Sequence, residues 1–365
     1  MTEFTPTPDR PAPPSQVGLI GWLRTNLFSS IPNTILTIIS LTIAWWVVSN
    51  VFMWAIVNAD WVGDSRADCS RVGACWVFIG ARLQQFFYGF YPESVLWRPN
   101  LTFALLVLSL LWMGVPQIPY KKFGILFGLV IFPVIAFFLL YGGAFGLAVV
   151  PTSRWGGLML TIVLAVVGIV LAIPIGIALA LGRRSEMPAV RLVCTIFIEF
   201  WRGVPLITIL FMASVMLPLF FAEGVSVDRL VRALIGITLF QSAYMAEVVR
   251  GGLQALGKGQ YEGADALGLT YWQKMNLVVL PQALKIMIPG IVNTTISLWK
   301  DTSLVVIIGL IEVLGVVNQA LSDPDWLGFP IEGYAFAAFM FWIFCFGMSR
   351  YSQYLERRLN TGHQN

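Results

Sequence analysis

Charge is what this sequence has least of. Asp, Glu, Lys and Arg make up 12% of its 365 residues, against 58% hydrophobic residues and a mean hydropathy of +0.78. A soluble domain carries about 25% charged residues. The polar surface needed to clothe a water-soluble fold is missing, which excludes a cytosolic enzyme, a secreted disulfide scaffold and a disordered regulator. Histidine is nearly absent, with His363 alone in a polar C-terminal stretch. Of four cysteines, Cys194 and Cys345 stand in apolar runs and read as small hydrophobes. No cluster has metal-ligand spacing, so no zinc, haem or iron–sulfur centre is expected.

What is there is apolar, and it comes in long runs rather than in alternation. The spans are therefore helices, not barrel strands. Residues 1–24 are rich in Pro and Thr and read as a disordered tail. Charge-free runs at 25–59, 99–120 and 123–153 predict three helices. Runs at 155–182, 192–221, 230–249, 284–314 and 331–349 predict five more, before a tail at 357–365. The expected fold is an all-α integral membrane protein of about eight transmembrane helices. An N-terminal three-helix part covers 25–153 and a five-helix core covers 154–356.

Lys and Arg fall unevenly on alternating loops, and the richer set includes both termini. By the positive-inside rule that side is cytoplasmic. Segment 58–98 and loop 317–330 then face outward. Cys69 and Cys75 sit in the first of these, on an oxidising side, and their spacing predicts a disulfide. The aromatic stretch 84–97 is expected in the outer membrane interface, or against an extracytoplasmic partner.

Gly252 to Lys258 reads GLQALGK, the opening of a P-loop. Gly259 stands where the magnesium-holding Ser or Thr is needed, and no strand precedes it. The chain is expected to bind no cofactor of its own. If ATP drives it, ATP and magnesium belong on another subunit.

Just beyond lies KGQYEGADALGLTYWQKMNLVVLPQALK, starting at Lys258. Residues 260–267 can form a short helix, which Gly268 ends through a left-handed turn. Thr270 and Gln273 have capping-box spacing for a second helix running to Leu280, where Pro281 constrains the backbone. A polar helix–turn–helix between two spans is either an ordinary loop or a docking surface.

The spacing resembles a known pattern. Glu262-Gly263-Ala264, then Gly268, then Val278 and Leu280-Pro281 match the EAA motif of ATP-binding-cassette importer permeases, with Gly263 in the place of the middle alanine. EFWRGVPLITILF from Glu199, QSAYMAEVVRGGLQAL from Gln241 and LWKDTSLVVIIGLIEV from Leu298 look like the polar amino-acid branch of that family. The N-terminal part is similar to permeases of general L-amino-acid and glutamate/glutamine/aspartate/asparagine importers. The resemblance implies a type I importer in a bacterial inner membrane. Its partners would be an ATP-binding subunit dimer, a second, different permease, a periplasmic amino-acid-binding protein, L-amino acids and the lipid bilayer, but no nucleic acid. It also implies that Glu262 to Gly268 is the segment that enters the ATPase.

Ionisable groups inside spans face a bundle interior or a wet cavity. Glu199 and Arg202 share a helix face and could pair with each other, and Glu247 lies near the end of its helix. An amino acid brings an ammonium, a carboxylate and a side chain. Lys300, Asp301 and Ser303, with Gln241, Tyr244, Asn293 and Thr294, offer a cation, an anion and neutral hydrogen-bonding groups. The same polar groups can also serve as helix–helix contacts. The rival reading is an ion-gradient-driven secondary amino-acid transporter, which would show inverted repeats and matched broken helices.

Overall fold

The computed structural model of the protein describes residues 18–115, 117–222 and 227–359. The tail readings at 1–17 and 360–365, His363 included, lie outside these. The chain divides into two compact units, Met1–Val77 and Phe78–Asn365.

In the first unit, α1 (Gly18–Asn26) precedes α2 (Ile31–Phe52), which continues as a π-helical turn over Met53–Val57. The tail expected to run to residue 24 thus ends before α1, because Leu19, Ile20, Trp22 and Leu23 supply an apolar helical stretch. Ser30 caps α2 by accepting from the Asn33 N–H, and Pro32 fits the first turn, where its missing N–H costs nothing. The segment after α2 is held by a disulfide between Cys69 and Cys75, with Cα atoms 5.6 Å apart. Nearby, the Asp68 carboxylate accepts from the Asp64 and Ser65 N–H groups and the Ser65 hydroxyl, which lowers its pKa.

The second unit starts within α3 (Trp76–Tyr88), a helix in a stretch expected to be loop. Phe78 and Phe86 are fully buried and pack on Trp326, Phe329 and Phe336. This corrects the interfacial reading of the aromatic stretch in part. Phe86 and Tyr91 are core residues, while Phe90 and Trp97 stay exposed.

A hairpin follows, from α4 (Trp97–Gly114) to α5 (Lys121–Leu126), a π turn at Phe127–Ile131 and α6 (Phe132–Tyr141). Lys121 closes it by donating from Nζ to the carbonyls of Trp112 and Val115 at the C-terminal end of α4. The last helix of this part stops at Tyr141 rather than 153, because Gly142 and Gly143 take positive φ.

The rest is a bundle of α7 (Gly157–Arg183), α8 (Pro188–Gly203), α9 (Leu206–Val215), α10 (Arg229–Ala255), α11 (Lys258–Ala266), α12 (Tyr271–Lys274), α13 (Leu280–Asp301), α14 (Val313–Leu321) and α15 (Pro330–Leu359). α10 is central and packs on α7, α8, α9 and α13. Gly176 lets α7 approach Met245 and Ala246 of α10.

The expected single helix over 192–221 is instead α8 and α9, bent by 102° at Gly203–Pro205. Pro205 lacks an N–H and restricts Val204 to extended backbone, so a helix cannot run through. The expected helix over 284–314 is also redrawn. α12, a π turn at Met275–Val279 and α13 run on as one stretch from Tyr271. Pro281 does not end it, because the π turn precedes it and it sits in the first turn of α13. Past Asp301 the chain tightens into a 3₁₀ stretch, Thr302–Ile308, then turns at Gly309 (φ +78°) into the two-residue strand β1 (Ile311–Glu312).

Among the described residues, five stretches are long and apolar enough to cross a membrane, and the bent pair α8–α9 makes a sixth. α4 and α10 are not in that set but stand where the other two of about eight spans are expected.

Candidate functional site

Four residues shape the surface segment between α10 and α13. Gly257 starts α11, and Gly268 ends it at φ +69°. The Gly268 N–H donates to the Asp265 carbonyl and the Leu269 N–H to the Ala264 carbonyl, the paired bonds of a Schellman turn. Thr270 and Gln273 then complete a reciprocal capping box. Ala264 is buried, whereas Glu262, Gly263 and Gly268 are exposed. A Cβ at Gly263 or Gly268 would meet nothing within 4 Å. The segment is therefore ordered from beneath and empty above. Lys274 pairs with Asp265 at 2.6 Å, tying α12 to α11. Leu280 is half-buried and Pro281 exposed, at the start of α13.

Its underside joins a core made by Ala180, Ile198, Met245, Val249, Leu253, Met275, Val279, Ala283 and Met287, with Tyr261 packed against it. The Tyr261 hydroxyl donates to the Leu253 carbonyl and accepts from Arg184, each at 3.1 Å.

Beside this core lies a charge network. Glu199 and Arg202 do not pair with each other. Glu199 accepts from Arg183 at 2.8 Å, and Arg202 faces Glu247 at 3.8 Å. Glu247 also accepts from Arg183 at 2.7 Å and from Arg250 at 2.8 and 3.0 Å. The correction follows from the path of α8. A helix rising straight from Pro188 would carry Glu199 about 16 Å into the membrane at 1.5 Å per residue, yet Glu199 still meets the last residue of α7. α8 therefore runs obliquely past that end.

Sequence reasoning missed Arg183, which pairs across helices, and Arg250, although its place three residues after Glu247 on one helix is a signal of pairing. It also missed Arg98, which is buried and donates to the carbonyls of Leu139 and Ala148, pinning the end of α6.

The pathway candidates fall on adjacent helices. Gln241 is buried on α10, and Tyr244 stands exposed beneath the Arg202 guanidinium. Asn293 and Thr294 lie on α13, where the Thr294 hydroxyl bonds the Gly290 carbonyl of its own helix. The Ser303 hydroxyl likewise bonds the Lys300 carbonyl. Lys300 is exposed and Asp301 half-buried, and neither joins an ion pair among the described residues. No hydrogen bond among the described residues joins the α10 candidates to those on α13. The described residues contain no group of three or more metal-ligating side chains.

These features define a multi-pass helical membrane subunit with an ordered polar segment between two of its helices. Residues 172–361 match the family described as the binding-protein-dependent transport system inner membrane component, and the chain belongs to that family. It is similar to the inner membrane amino-acid ABC transporter permease protein YhdY of Escherichia coli (strain K12), at 57% identity over 97% of each chain. The glutamate/glutamine/aspartate/asparagine transport system permease protein BztC of Rhodobacter capsulatus is 40% identical, again over 97% of each. A solved structure described as an amino acid ABC transporter with histidines aligns at a TM-score of 0.50 and 28% identity. That alignment covers 55% of this chain and 92% of the other.

Proposed function

We propose that this chain is the permease subunit of an ATP-driven, binding-protein-dependent importer of L-amino acids. Full-length similarity to amino-acid permeases supports the substrate class. The observation that carries the mechanism is the α11 segment, held from below by a core and a Schellman turn, with Glu262, Gly263 and Gly268 left open above. An ordered polar surface of that kind suits docking by a second protein. The occupant proposed is an ATP-binding subunit dimer, which holds ATP and magnesium. A periplasmic amino-acid-binding protein delivers substrate on the opposite face, and a second, different permease completes the pathway. Both termini are cytoplasmic in this reading.

Mechanically, nucleotide-driven closure of the ATPase dimer displaces α11, and α7, α10 and α13 follow because they share its core. The chain itself breaks no bond. Proteoliposomes holding the assembled complex test this reading. Amino-acid uptake is expected only with internal ATP and external binding protein. Uptake by the chain alone, driven by an ion gradient without ATP, would replace this reading with that of a secondary transporter.

A further inference from the structure

The charge network beside α11 has no place in the expected motif, and its geometry is specific. One carboxylate, Glu247, is engaged by guanidinium groups from three helices: Arg183 closing α7, Arg202 near the end of α8, and Arg250 on α10 itself. Each of its oxygens has a different set of partners, Oε1 taking Arg183 and Oε2 taking Arg250 and Arg202. The next residue, Arg184, which follows the end of α7, reaches the other way, to Tyr261 of α11. Two neighbouring arginines therefore link the end of α7 to the α10 carboxylate on one side and to the docking segment on the other.

The balance of charge makes the arrangement conditional. Three guanidinium groups share two carboxylates, Glu199 and Glu247, and among the described residues Glu199 pairs with Arg183 alone. Without the Glu247 charge, Arg202 loses its ion-pair partner among the described residues, and Arg250 keeps its hydrogen bond to Gln254. Partly buried charges held in such a network are strongly coupled to one another, and removing a central partner leaves the others uncompensated. Arg202 is also the residue before Gly203, where α8 turns into α9. A displacement of α7 relative to α10 therefore acts directly on the α8–α9 corner.

We propose that Glu247 is a positioning residue for coupling: it locks the ends of α7, α8 and α10 to one another, so that movement of α11 is passed to the α8–α9 corner rather than absorbed. This rests on the reading of α11 as the ATPase-docking segment.

The test uses the complete reconstituted importer and measures amino acid transported per ATP hydrolysed. Glu247→Gln keeps shape and removes charge. It is expected to assemble and to hydrolyse ATP at the basal rate, while transport per ATP falls about tenfold, within the usual range of coupling between sites. Glu247→Asp is expected to recover most of that loss, which a purely structural role would not require. Arg183→Gln, which removes the bridge from α7, is expected to uncouple in the same direction. Wild-type transport per ATP in Glu247→Gln overturns the proposal. If that variant does not assemble, Arg183→Gln decides. Uncoupling in an assembled complex supports the proposal, and a wild-type ratio or failure to assemble overturns it. A cysteine cross-link from Glu262→Cys to the ATPase, made in the otherwise unaltered complex, checks the underlying reading separately. Its absence counts against docking at α11, whereas its presence with a wild-type ratio in Glu247→Gln counts against Glu247 alone.

Discussion

The backbone N–H of Leu269 reaches the carbonyl of Ala264 at 3.2 Å, across a glycine held at φ +69°. That bond fixes where α11 stops and therefore which residues it presents.

Gly268→Val tests this turn. A Cβ there meets no neighbour within this chain, so the cost to α11 itself is backbone strain, about 1–2 kcal/mol for a left-handed L-residue. Binding-protein-stimulated ATP hydrolysis and uptake are expected to fall together. Gly263→Ala is the control in the same helix. Its site is also open and its φ is not positive, so the change is expected to favour the helix by about 0.5–1 kcal/mol and to leave uptake intact. Loss of uptake in Gly263→Ala with normal uptake in Gly268→Val would reverse the argument.

The Cys69–Cys75 loop carries a second expectation. Mass spectrometry of alkylated, unreduced protein is expected to find both thiols blocked by the disulfide. The same loop has a pH signature. Asp68 is held below the ordinary carboxylate range, first by the Asp64 N–H and then by Ser65. A depressed carboxylate stabilises the fold above its unfolded pKa, and that contribution is lost as pH falls through the lower folded value. Amide protection at Asp64 and Ser65 is expected at neutral pH and should disappear in acid. Protection independent of pH would remove the role given to Asp68.

How much of this was legible in the sequence depended on which signals were local. The αL turn at Gly268 and the capping box at Thr270 were readable because each is set by a few consecutive residues. Charge-free runs gave the helices for the same reason. Pro281 misled because a proline read locally says stop, while the preceding π turn lets the helix continue through it. The corner at Gly203–Pro205 was passed over because apolar composition on both sides hid the bend. Pairing was the least legible feature. Glu199 lies three residues from Arg202, yet its partner is Arg183 on another helix, and only the oblique path of α8 brings the two together.

A backbone knot gives a prediction about folding. Gly89 pairs with Trp155, Gly156 with Ile311 and Gly157 with Glu312, so three distant stretches meet through bare backbone. A Cβ on Gly156 would lie 2.9 Å from both the Gly89 Cα and the Ile311 carbonyl oxygen, neither of which can rotate away. Gly156→Ala is expected to lower stability by about 1–3 kcal/mol, the usual cost of overpacking, read as a lower melting temperature of the purified protein. Gly80→Ala, at an open site inside α3, should not lower it and is expected to raise it slightly. Equal melting temperatures for both variants would show that the knot yields.

Lys300 and Asp301 pose the sharpest question about the pathway. They close α13, inside a stretch long and apolar enough to cross a membrane. Neither has an ion-pair partner among the described residues, and Lys300 is exposed on the surface of the chain. A charge within such a stretch is costly against lipid tails, so it should face water, substrate or the second permease. Lys300→Met and Asp301→Asn separate the possibilities when uptake is measured per assembled complex. If the groups line the route of the amino acid, assembly and basal ATP hydrolysis persist while uptake per complex falls. If they bind the second permease, the yield of complex falls and the surviving complexes transport normally. We expect the first outcome, because Asp301 is only half-buried and adjacent residues diverge by about 100° around a helix, so one flat interface would not readily hold both. Wild-type uptake per complex in both variants would remove these residues from the pathway.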